Sequence, residues 1–98
     1  MEGLNKLKCL EYLNLAVNNI KKIEGIKFCE SLYKLDLTLN FIDYENFRSS
    51  LEHLEYTDTL RELYLTGNPA TDWPRYKEYC LAKLPQLARI DGDDVVKS

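Results

Sequence analysis

The chain has 98 residues, 45% hydrophobic and 30% charged, and a formal net charge of -3 from 13 basic and 16 acidic side chains. That length sustains one folded domain with a modest core, and the composition excludes a disordered tail or a fibre. The acidic balance gives no long-range reason for attraction to nucleic acid or an anionic membrane, although Lys6, Lys8, Lys21, Lys22, Lys27 and Lys34 make the first third basic and Asp91, Asp93 and Asp94 make the end acidic.

Cys9, Cys29 and Cys80 are odd in number and widely spaced. They point to reduced thiols, not to a disulfide framework or a zinc site. No apolar run approaches the roughly 18 residues of a membrane span, and no charged-then-apolar leader is present, so a cytoplasmic or nuclear location is expected.

Near the N-terminus, Leu4 and Leu7 fit the tail of a repeat whose strand is missing. Such a first layer would leave apolar edges bare, implying either a fragment of a longer protein or an edge covered by a partner, self-association included. The first complete pattern is Leu10-x-x-Leu13-x-Leu15-x-x-Asn18-x-Ile20, and it recurs from Leu32 to Ile42 and, with Pro69 in its turn, from Leu60 to Ala70. The register advances by 22 residues from Leu10 to Leu32 and by 28 from Leu32 to Leu60, both within the range of leucine-rich repeats. The expected architecture is therefore α/β: a right-handed leucine-rich-repeat solenoid with a short parallel sheet on its concave face and turns and short helices on its convex face. Repeats are placed at about 10–31, 32–59 and 60–75 of a single domain spanning 1–98.

Each position of the pattern has a physical reason. The Leu-x-Leu alternation turns Leu13 and Leu15, and their equivalents, into the core, while the intervening residues face the concave side. Asn18, Asn40 and Asn68 fall where the chain leaves the sheet, where an amide can bond the exposed backbone groups of the bend. After Ile20, the three-residue spacing of Ile23, Ile26 and Cys29 suggests a tight turn or 3₁₀ piece. After Ile42, Phe47, Leu51 and Leu54 at i, i+4 and i+7 predict a helix over the same core.

Past the third repeat, Thr71 or Asp72 is the expected cap of a helix with Pro74 in its first turn. Tyr76, Tyr79, Cys80 and Leu84 share one face of that helix, and Pro85 ends it. A half-repeat follows, with Leu87 and Ile90 inward and Gly92 free to turn, giving a C-terminal cap over about 72–92.

The sequence offers no catalytic constellation. His53 lies on the predicted helix without a nucleophile or companion base, Asp91-Gly92-Asp93-Asp94 lacks the alternating ligands of a calcium loop, and no glycine-rich phosphate loop occurs. No cofactor, metal or small-molecule substrate is expected. Tyr12, Tyr33, Tyr44, Tyr56, Tyr64 and Trp73 are not interleaved with a basic stripe, which argues against a nucleic-acid surface. Outward positions form three rows: Tyr12, Lys34, Glu62 and Arg89; Asn14, Asp36, Tyr64 and Asp91; Ala16, Thr38 and Thr66. The first two rows without Asp91 are the candidate partner-binding surface; Asp91, able to bond the backbone of the cap, is grouped with Asn18, Asn40 and Asn68 as structural.

The runs Leu10-Glu11-Tyr12-Leu13-Asn14-Leu15-Ala16, Lys34-Leu35-Asp36-Leu37-Thr38, Gly67-Asn68-Pro69 and Leu84-Pro85-Gln86-Leu87 resemble the tilB/seahorse family of dynein axonemal assembly factors, within the wider group of SDS-type short leucine-rich-repeat proteins. The resemblance implies a cytoplasmic factor that preassembles dynein arms for motile cilia or flagella. Its repeat domain would be a protein-docking module, with dynein subunits or other assembly factors as partners. Family members also carry further N-terminal repeats and a C-terminal coiled segment with a co-chaperone-like domain, which this sequence lacks. A phosphatase-regulatory or a spliceosome-associated repeat protein is the competing resemblance.

Overall fold

The computed structural model of the chain describes residues 10–23 and 29–95. Leu4, Leu7 and Ile26, on which the bare first edge and part of the first convex turn were expected, lie outside them.

Four strands stack in chain order. β1 (Tyr12–Asn14), β2 (Lys34–Asp36), β3 (Glu62–Tyr64) and β4 (Arg89–Ile90) pair in parallel, with Leu13, Leu35, Leu63 and Ile90 in one line across the sheet. In the three full repeats three residues per strand suffice, because each contributes one inward leucine here and a second just beyond, at Leu15, Leu37 and Leu65. Leu35, Leu37 and Leu63 are completely buried, whereas Leu13 and Leu15 are partly buried against the same core. Each fully buried leucine contributes roughly 1.5 to 3 kcal/mol by leaving water.

The convex side is completed by the predicted helix, α1 (Tyr44–Leu54), which buries Phe47, Leu51 and Leu54. It starts where Asp43 accepts the Asn46 amide at 2.8 Å, which satisfies one of the helix's orphan donors. Ser50 is also buried on α1, and its hydroxyl accepts the Ile23 amide at 2.8 Å, joining the turn of the first repeat to this helix. At the other end, Gln86 donates to the carbonyls of Leu54 and Thr57, so the last half-repeat closes α1 as well as the core.

The cap begins differently from the sequence expectation. Thr71 and Asp72 do not cap the helix; they belong to a 3₁₀ turn, Pro69–Asp72, and the Thr71 hydroxyl donates back to the Asn68 carbonyl at 2.7 Å. α2 (Tyr76–Lys83) starts two residues after Pro74, with Arg75 at its N-cap and no side-chain capping bond. Proline at the first helical position thus serves the 3₁₀ turn, through Pro69. Tyr76, Cys80 and Leu84 are buried, and Phe47, Tyr76, Tyr79, Trp73 and Tyr44 form a chain of ring contacts 4.6 to 6.0 Å apart that seats α2 on α1.

After β4 the chain reverses at Asp91 and Gly92, both with positive φ, into β5 (Asp93–Asp94), which pairs antiparallel with β4. The parallel stack therefore ends in a charged hairpin. Lys77 bonds Asp93 at 2.9 Å, and Arg89 bonds Asp94 at 3.0 Å. Charged, short edge strands discourage addition of another strand.

Candidate functional site

Strand register fixes the concave face. Tyr12, Lys34, Glu62 and Arg89 stand side by side across four strands, and Asn14, Asp36 and Tyr64 form the row beside them. The next row, Ala16, Thr38 and Thr66, carries small side chains. Val17, Leu39 and Gly67 follow at equivalent repeat positions, all with positive φ, as the chain turns off the sheet.

Side chains within the two main rows hold one another. The Tyr64 hydroxyl donates to Glu62 Oε1 at 2.9 Å, and the Lys34 ammonium lies 5.0 Å from the centre of the Tyr64 ring. Arg89 stands 3.8 Å from Glu62 and 3.0 Å from Asp94. The Asp94 hydrogen bond, followed by Tyr64 and the nearby carboxylates, holds the Arg89 guanidinium still more firmly in its charged form, while Lys77 lowers the pKa of Asp93. Asp36 Oδ1 accepts from both the amide and the hydroxyl of Thr38, and Asn14 Oδ1 accepts the Ala16 amide. A hollow of about 370 Å³ remains, lined by Tyr12, Leu13, Asn14, Lys34, Asp36 and Glu62.

Asp91 does not line this surface as a member of the second row. Its Oδ1 accepts the Leu65 amide at 2.7 Å. In the two preceding repeats the corresponding amides, of Leu15 and Leu37, donate to the main-chain carbonyls of Asp36 and Tyr64. Where the chain turns away after β4, the carboxylate stands in for the carbonyl that another repeat would supply.

The asparagines lie behind the face. Asn40 Oδ1 accepts the Ile20 amide and its Nδ2 donates to the carbonyls of Leu15 and Leu37; Asn68 repeats this with the Ile42 amide and the carbonyls of Leu37 and Leu65. Asn18 is exposed and bonds the carbonyls of Leu15 and Ala16. Sequence reasoning missed Asp94, which completes the Arg89 network; the Asp91-Gly92 turn signal was the one trace of the hairpin that brings it there.

Other chemistry-bearing groups are dispersed. Among the described residues no group of three or more His, Cys, Asp or Glu could hold a metal ion, and no helix is long and apolar enough to cross a membrane. His53 is exposed on α1. Cys29 and Cys80 are buried, and burial raises both thiol pKa values, that of Cys80 to about 12. Tyr12 and Tyr33 make an edge contact at the sheet and a ring cluster lies between α1 and α2, while Tyr64 packs under Lys34, and Phe41 and Tyr56 are exposed.

No protein-family model matches the chain. Over all 98 residues it is 49% identical to dynein axonemal assembly factor 11 of Trypanosoma brucei brucei, 51% to protein tilB of Drosophila melanogaster and 46% to dynein axonemal assembly factor 11 of Mus musculus. The chain spans only 25%, 24% and 20% of these relatives' lengths, respectively. Among solved structures, the Mex67 leucine-rich-repeat domain from Chaetomium thermophilum superimposes with a TM-score of 0.76 at 26% identity, over 94% of this chain and 62% of that one. The Drosophila melanogaster SNF/U2A' complex gives 0.63 at 24% identity, over 94% of this chain and 65% of that one, a likeness of fold alone. With identity near one half along its whole length, the chain matches one segment of the tilB-type dynein axonemal assembly factors, and it has a leucine-rich-repeat fold.

Proposed function

We propose that this chain is a single docking domain by which a factor of this family holds a protein partner while axonemal dynein arms are preassembled in the cytoplasm for motile cilia or flagella. The partner is a dynein subunit or another assembly factor, and the domain acts by binding and not by catalysis. The observation that carries this reading is the concave face, where Tyr12, Lys34, Glu62 and Arg89 and, beside them, Asn14, Asp36 and Tyr64 present a continuous polar and aromatic surface backed by a rigid sheet. Tyrosine and arginine are frequent energetic anchors of protein interfaces, and the bonding among these residues reduces the ordering cost of binding.

The test is affinity capture from the cytoplasm of cells building motile cilia, with the wild type beside a Tyr12→Ala/Asp36→Ala/Tyr64→Ala variant shown by circular dichroism to be folded. Recovery of axonemal dynein subunits or assembly factors by the wild type alone supports the reading. Recovery of a phosphatase catalytic subunit or splicing components would favour the rival repeat-protein classes. Equal recovery by both forms would place the docking surface elsewhere.

A further inference from the structure

The hollow on the concave face has an unequal charge lining. We propose that it receives a basic side chain of the partner, best an arginine, between the Tyr12 ring and the carboxylates of Asp36 and Glu62. This rests on the docking reading above and specifies the chemistry of the partner.

Three observations carry it. The cations of the face are already engaged: Lys34 sits over the Tyr64 ring, and Arg89 is shared between Glu62 and Asp94. The carboxylates are engaged through one oxygen each. Asp36 uses Oδ1 toward Thr38 and Glu62 uses Oε1 toward Tyr64 and Arg89, and the second oxygen of each has no protein partner among the described residues. Finally, Asp36 and Glu62 are diagonal neighbours on adjacent strands, β2 and β3, and border the same hollow as Tyr12, which is 65% exposed. A planar guanidinium with five donors can bond two carboxylates in different directions while its face meets an aromatic ring; an ammonium makes the same charge contact with less directional bonding. An anionic side chain would meet two carboxylates against Lys34, the one cation among the described residues that line the hollow.

The probes are three capped tripeptides, acetyl-Leu-X-Leu-amide with X as arginine, lysine or glutamate, titrated into the isotopically labelled 98-residue chain and followed by the amide shifts of β1, β2 and β3. The arginine peptide should shift these amides, the lysine peptide less, and the glutamate peptide not at all; binding should weaken severalfold as sodium chloride rises, as expected for exposed charges. Asp36→Asn/Glu62→Gln keeps the acceptors for Thr38 and Tyr64 and should lower arginine-peptide affinity about tenfold. Equal shifts by the glutamate peptide, shifts away from these strands, or indifference to the Asn/Gln pair would overturn the proposal.

Capture from ciliating cells separates it from the docking reading. Loss of capture in the triple-alanine form but not in the Asn/Gln form would leave docking intact and refute the basic side chain. Unchanged capture by both, with the arginine peptide still bound, would leave the basic-side-chain site intact and refute docking through this face.

Discussion

Replacing Asn40 by alanine tests whether the side-chain amides behind the sheet hold the repeats together. Asn40 is only 3% exposed and bonds across two repeats. Its loss strands the Ile20 amide, which donates to Asn40 Oδ1 at 3.0 Å. The carbonyls suffer less, because Leu15 O still receives Asn18 Nδ2 and Leu37 O still receives Asn68 Nδ2. One orphaned, part-buried donor costs about 1 to 3 kcal/mol, and the three lost donations, to the Leu15, Leu37 and Thr38 carbonyls that each keep another partner, add about 1 more. The expected loss is about 2 to 4 kcal/mol, a large fraction of the roughly 5 to 15 kcal/mol that stabilises a typical domain. Asn18→Ala, at the exposed start of the series, should cost less than about 1 kcal/mol, because its carbonyl partners face water or a second amide. Urea unfolding followed by circular dichroism, with linear extrapolation, measures both. Equal losses for Asn40→Ala and Asn18→Ala would show that burial of the bonded groups does not set the cost, and the reasoning would fail.

Leu35→Ala, in the fully buried centre of the sheet between Leu13 and Leu63, should cost about 2 to 5 kcal/mol by the same unfolding assay; a loss below 1 kcal/mol would mean the cavity collapses freely. Gly67→Ala places a methyl group in the left-handed region, at φ +84°, and 2.5 Å from Leu39 Cδ2, so it should cost about 1 to 2 kcal/mol. Combining it with Leu39→Ala should recover the steric part and leave the backbone part, a coupling that additive losses would disprove. Cys80 holds its proton to about pH 12 when folded, against an ordinary value of 9.0. Stability from this group is therefore fully present below pH 9 and is lost as pH rises toward 12, because the unfolded chain releases the proton first. Urea unfolding at pH 8 and at about pH 10.5 should show a smaller alkaline loss in Cys80→Ala than in the wild type, and iodoacetamide should label Cys80 only on unfolding; rapid labelling of the native chain at pH 8 would contradict its burial.

The strands and their order were legible because one signal was written three times: Leu13, Leu35 and Leu63 recur with the same neighbours, and equal spacing within the pattern requires them to align. The helix over Phe47, Leu51 and Leu54 was legible for a similar reason, since its period differs from that of the strands on either side. What escaped depends on contacts between distant segments. Ser50 lies three residues after Phe47 on the buried face of α1, but no sequence pattern names the Ile23 amide as the partner of its hydroxyl. Thr71 and Asp72 carry the right side chains for a helix cap, but the Pro69 turn takes them first, and ring packing of Trp73, Tyr76 and Tyr79 positions α2 without that cap. The concave rows could be listed from alternation, yet the pairing of their charges could not. Lys34 and Arg89 look like free cations in the sequence; the sheet puts Lys34 over Tyr64, and the terminal hairpin delivers Asp94 to Arg89. An overall charge of -3 spread along the chain thus becomes, at one hollow, a local excess of carboxylate, because pairing within the fold occupies the cations first.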